Sequence, residues 1–176
     1  MFIILYITEE YFYMARGKVD AAFNEMFIVG ERDVSTIAKI IDKFGFNDGE
    51  MNTVIVSHSN LAVEKFLKGY LIKNGVEVPK IHKLDLLYDM AYDKNNVFKN
   101  IQNECDDLND YGAEVKYDPK IQIDENVAKK AVEMLFSVYN FDEIKKIREE
   151  LKHTDKNYPQ NDCPLADVIN EVMSKK

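Results

Sequence analysis

The sequence predicts an all-α fold, and three observations carry that expectation. Four long runs place apolar residues at the 3.6-residue helical period. No segment alternates as a half-buried strand would, and 7 Gly with 4 Pro are too few turn formers for a sandwich of short strands. A chain of 176 residues can bury a continuous core without a disulfide or a metal.

The first helix is expected from Thr8, an N-cap followed by Glu9 and Glu10, with Phe12, Ala15, Val19, Ala22, Phe23 and Met26 at helical spacing. Gly30 reads as a break, after which Val34, Ile37, Ala38 and Ile41 form a second short stripe that ends at Gly45. From about Met51 to Lys73, Val54, Leu61, Ala62, Phe66, Leu67, Tyr70 and Leu71 describe one helical face, stopped by Asn74-Gly75. Val76 to Pro79 should be extended, because the residue before a proline avoids the α region.

Another helix begins near His82 and carries Leu84, Leu87, Tyr88 and Ala91. It is interrupted or bent at Asn95-Asn96 and resumes with Val97, Phe98, Ile101, Cys105 and Leu108. Gly112 to Ile123 lacks the helical period and contains Asp118-Pro119, which reads as an ordered loop. Asp124 caps a last long helix whose Val127, Ala128, Ala131, Leu135, Val138 and Tyr139 face the core, continuing through Ile144, Ile147 and Leu151. Past His153 the chain turns polar, then ends on an amphipathic piece at Leu165, Val168, Ile169 and Met173.

The net charge of −8 opposes general nucleic-acid binding, which depends on Lys and Arg displacing counterions from phosphate. Glu64 to Lys83 runs against the trend, with five lysines (65, 68, 73, 80 and 83) against Glu64 and Glu77. Any anion site is expected there. Cys105 and Cys163 lie far apart without metal or disulfide spacing, and His58, His82 and His153 share no metal-type spacing. No metal or cofactor is expected, and a reducing, cytoplasmic setting fits. The apolar start, Met1 to Ile7, stops at Glu9-Glu10 and is shorter than a membrane span, so no membrane association is expected; translation from Met14 is an alternative start.

Ser59 to Leu71 (SNLAVEKFLKGYL), then Gly75, Pro79, Ile81-His82-Lys83-Leu84 and Leu87, resemble the HEPN family pattern. In that pattern an A-x-E-K-x-L-K helix precedes a Gly, a Pro and a His-x-Leu helix start. Leu108 to Tyr111 and Lys116 to Pro119 resemble the family's leucine-x-x-tyrosine stretch and Arg-Tyr-Pro loop, and Ala128 to Tyr139 its closing helix. Lys116 stands where the family commonly has Arg, Glu31 to Glu50 is an insertion, and the chain after Phe141 is extra. The resemblance implies an up-and-down four-helix bundle, placed over residues 1–153; the inserted extra helix and a polar extension with a short helix over 154–176 are read from the residues as departures from the family pattern. The resemblance also implies a homodimer, to which the aromatic-rich start would contribute apolar surface.

For function, the resemblance implies a module that binds a nucleotide or other small anion through Lys65, Lys68 and Lys116, with His82, Tyr111 and Tyr117 as neighbours. Such a module also works beside a nucleotidyltransferase in a two-component, toxin-antitoxin-like pair. The bland reading makes Glu64 and Lys68 a surface i,i+4 ion pair and His82 a cap on a helix start. The alternative is a metal-independent toxin ribonuclease. Many HEPN relatives place an Arg four to six residues before a His; the cation would hold the scissile phosphate and the imidazole would move protons at the 2′-OH. Arg148 and His153 satisfy that spacing, but they lie past the closing helix among Asp142, Glu143, Glu149, Glu150 and Asp155. The family's polar residue after the Arg is absent, and Asp155 occupies the place of its tyrosine after the His. A third reading is a purely structural partner-binding subunit.

Overall fold

The computed structural model describes the backbone of residues 2–117, 122–160 and 165–166, and the side chains of 17, 19–112, 122–160 and 165–166. All regular structure in these residues is helical: α1 (Phe2–Phe44), α2 (Gly49–Lys73), α3 (Leu84–Lys94), a 3₁₀ turn (Asn96–Ile101), α4 (Gln102–Tyr117), α5 (Glu125–Asn140) and α6 (Asp142–Thr154). Helix α2 is the central element and packs against α1, α3, α4, α5 and α6.

Helix α1 corrects two sequence expectations. It starts at Phe2, with Thr8 inside it, and it passes through Gly30 without a break, so residues 31–44 continue the first helix and do not form an inserted one. The reason lies in α2. A Cβ at Gly30 would sit 2.7 Å from the Phe66 ring, and one at Gly69 would sit 2.5 Å from the Phe27 ring. The two glycines are notches that let Phe27 and Phe66 interlock at 5.5 Å between centroids. A helix can carry Gly at a cost of about 1 kcal/mol when close packing offsets it.

The α1–α2 pair runs antiparallel, with Phe23 facing Lys73 at one end and Asp33 facing His58 (2.8 Å) nearer the other. Asp48 opens α2 by accepting the N–H groups of Glu50 and Met51. Gly75, at φ +74°, closes it, with the Val76 N–H on the Leu71 carbonyl and the Gly75 N–H on Ile72.

The interruption expected at Asn95-Asn96 is present: Asn95 ends α3 and accepts the Val97 N–H. The loop expected from Gly112 is partly helical, since α4 runs to Tyr117, while 118–121 lie outside the described residues. Gly112 is again a notch, because a Cβ there would meet the Asn60 amide at 2.5 Å. The expected single closing helix is divided at Phe141, whose ψ of 131° swings its ring against Phe98 (4.9 Å, edge-on). Tyr158 and Leu165, beyond the expected bundle boundary, are buried in the same core. Of the amphipathic tail piece, Val168, Ile169 and Met173 lie outside the described residues.

Candidate anion-binding site

Glu64 sits on the buried side of the central helix, on one stripe with Asn60, Leu67 and Leu71, and its side chain is fully buried. Its Oε1 accepts from Lys65 Nζ (2.8 Å) and Lys68 Nζ (2.9 Å). The imidazole Nδ1 of His82 lies 3.2 and 3.1 Å from the two carboxylate oxygens. A carboxylate only accepts, so Nδ1 carries the hydrogen here. Burial pushes the Glu64 carboxyl up, but the hydrogen bonds from Lys65, Lys68 and His82 and the charge of Lys65 outweigh it and hold the group below the usual carboxylate value.

This geometry corrects the reading of Glu64 and Lys68 as a surface pair. Glu64 is the hub of a recessed charged cluster, and its signal in the sequence was the placement of a glutamate three and seven residues before Leu67 and Leu71. His82 reaches the hub because Gly75 reverses the chain and half-buried Ile81 anchors the returning segment. It caps no helix: α3 begins at Leu84, whose N–H is taken by Asn109 Oδ1 at 3.0 Å.

Among the expected anion-site residues, the structure therefore brings Lys65, Lys68 and His82 together. Tyr111 is half-buried against the core on α4. The side chains of Lys116 and Tyr117 are outside the described residues, but their helix has a defined register. Tyr70 meets Phe98, Asn60 donates to the Leu108 carbonyl and Gly49 abuts Gln122, so α4 descends toward the start of α2. The backbone of 116 and 117 consequently lies nearer Thr53 than Lys65, roughly three helical turns from the Glu64 cluster.

Arg148 and His153 occupy different environments. Arg148 is buried, with Nε on Glu31 Oε1 at 2.7 Å and Nη1 on the Tyr139 carbonyl at 3.3 Å. Its guanidinium carbon stands 3.2 Å from the Tyr139 ring centroid. Tyr139 and Tyr158 donate their hydroxyls to Glu31 at 3.0 and 2.5 Å. Burial acts to lower the Arg148 pKa, and Glu31 more than reverses this, so the guanidinium stays charged inside the knot. His153 is exposed on the last turn of α6. Glu31, the residue that engages Arg148, gave no sequence signal, since it lies 117 positions away.

The helices and the hub define an all-α bundle whose central helix carries a recessed, net-positive cluster. A family model, the HEPN domain, matches residues 43–147, more than half of the chain. The chain belongs to the HEPN domain family. Lys65, Lys68, His82, Tyr111, Lys116 and Tyr117 fall inside the matched region, whereas Arg148 and His153 fall outside it. No curated protein and no solved structure matches the chain. Among the described residues, no helix is long and apolar enough to cross a membrane.

Proposed function

We propose that this HEPN domain is a non-nucleolytic module that binds a nucleotide or similar small anion at Lys65, Lys68 and His82. One observation carries the reading: two ammonium groups share a single buried carboxylate, which leaves a positive charge held in place by the fold. Each ammonium has three N–H donors and spends one on Glu64. Among the described residues neither has a second partner. The hub thus orients the cations without exhausting them, which lowers the entropic cost of gripping an anion.

The state of Arg148 supports the non-nucleolytic side of the proposal. A cation that must hold a scissile phosphate needs free N–H groups facing solvent, and this one is buried against Glu31 and Tyr139. The same module is proposed to act as a homodimer or beside a nucleotidyltransferase, where a bound nucleotide would be shared chemistry. A thermal-shift series against nucleoside mono-, di- and triphosphates tests the reading, because a ligand that binds the native state raises its apparent stability. Stabilisation that is lost in Lys65→Ala and kept in His153→Ala is the expected result. RNA cleavage that requires His153 and survives Lys65→Ala would replace the proposal with the ribonuclease reading.

A further inference from the structure

Resting on that reading, we infer that the Glu64 hub is built for a terminal phosphomonoester, such as the 5′-phosphate of a nucleoside monophosphate, and discriminates against phosphodiesters. The first reason is access. The Lys68 and Lys65 side chains keep 11% and 20% of their surface exposed, while His82 keeps 66%. Both lysine side chains are therefore largely covered by the protein, and the imidazole is the most open member of the cluster. A terminal phosphate reaches such covered donors head-on. A diester carries a sugar on both sides of the phosphorus and must bring one of them against the covering residues.

The second reason is the match of charge and donors. A phosphomonoester carries about −1.5 to −2 charges near neutral pH and three strong acceptor oxygens. A diester carries one charge and two unbridged oxygens. Two N–H groups remain on each ammonium, and exposed Lys80 and Lys83 flank His82 along the returning segment. Donors in that number saturate three oxygens, and the hub's one surplus positive charge together with those of Lys80 and Lys83 is better matched by the dianion. Glu64 also excludes the ligand from the floor of the site, since a phosphate that displaced the lysines would face a buried carboxylate. The anion must sit outward of Nζ on both lysines, on the His82 side.

The test compares AMP, 3′,5′-cyclic AMP and adenosine by isothermal titration calorimetry on the full chain. AMP is expected to bind, with cyclic AMP and adenosine at least tenfold weaker. Lys65→Ala should weaken AMP by about ten- to a hundredfold, the loss of one charge-assisted contact. His82→Ala, at a mostly exposed side chain, keeps the fold and should weaken AMP by about three- to tenfold. Equal binding of AMP and cyclic AMP, both sensitive to Lys65→Ala, would overturn the phosphomonoester inference and leave the anion site standing. Binding of no nucleotide would overturn both, and AMP binding indifferent to Lys65→Ala and His82→Ala would place the ligand elsewhere and overturn the inference.

Discussion

Replacing Arg148 with Ala is the sharpest test of what that arginine does. The change deletes the guanidinium from a buried site and leaves Glu31, itself buried, with the Tyr139 and Tyr158 hydroxyls as its side-chain donors among the described residues. Breaking one partner out of a buried pair costs about 3–5 kcal/mol, because the remaining charge keeps its desolvation penalty and loses its compensation. The two hydroxyl donors hold the loss toward the lower end. The lost cation–π stack on Tyr139 and the emptied space of the arginine stem pull the other way. A net loss of about 3–4 kcal/mol is expected, measured by guanidinium denaturation at pH 7 with helical ellipticity as the readout. The double change Glu31→Gln with Arg148→Met should recover much of it, since it removes the stranded charge and refills the space. His153→Ala, at an exposed position, should stay within about 0.5 kcal/mol of the parent. A loss below about 1 kcal/mol for Arg148→Ala would refute the structural assignment and return Arg148 to the list of ligand-facing cations.

Two further outcomes follow from the same physics. Among the described residues Gly17 has no neighbour within 4 Å of an added Cβ, so Gly17→Ala should raise Tm through helix propensity worth up to about 1 kcal/mol; Gly30→Ala and Gly69→Ala should lower it, because overpacking against Phe66 and Phe27 costs about 1–3 kcal/mol. A rise in Tm for Gly30→Ala would show that the helices do not interlock there. Glu64→Gln should cost about 1.5–3 kcal/mol at pH 7 in urea denaturation. Because the folded-state pKa of Glu64 is depressed below 4.5, its stabilisation is fully present above that value and fades as pH falls through the folded pKa. The gap between parent and variant should therefore close in acid, and a gap that widens there would contradict the ion-pair account.

How far the fold was legible in the sequence depended on what each residue had to report. The apolar stripes of α3 and α5 follow local period and stand where the period put them, whereas on α2 the core face carries Ile55, Val56 and Val63 in place of the expected Val54 and Leu61. Glycine carries two meanings that period cannot separate. Gly75 and Gly45 have positive φ and end helices, as read; Gly30 and Gly112 sit inside helices because a ring or an amide of another helix fills the space of their Cβ. The second meaning is a property of the partner, not of the segment, so a break was expected at Gly30 and a loop at Gly112. Phe141 is the converse case. Nothing around it stops a helix, and the chain bends there so that its ring can reach Phe98, forty-three positions earlier.

Charge was legible as sequence density but not as address. The basic run from Glu64 to Lys83 drew attention to Lys65, Lys68 and His82, and the fold does join those three. What density hides is that the acid at its start, Glu64, is the buried centre on which the cations converge. Placing it needs the face of α2 that meets the core, and that face becomes certain only when several helices claim it at once. The same blindness works in reverse at Arg148. Its spacing to His153 matched a catalytic pattern, yet spacing along a helix fixes only the angle between two side chains, and five residues amount to about 140° past a full turn. One residue of the pair therefore turns inward to Glu31 when the other faces water. Arg148 is thereby held among buried partners while His153 faces water, and cooperation between them on one phosphate would require Arg148 to leave Glu31 and Tyr139.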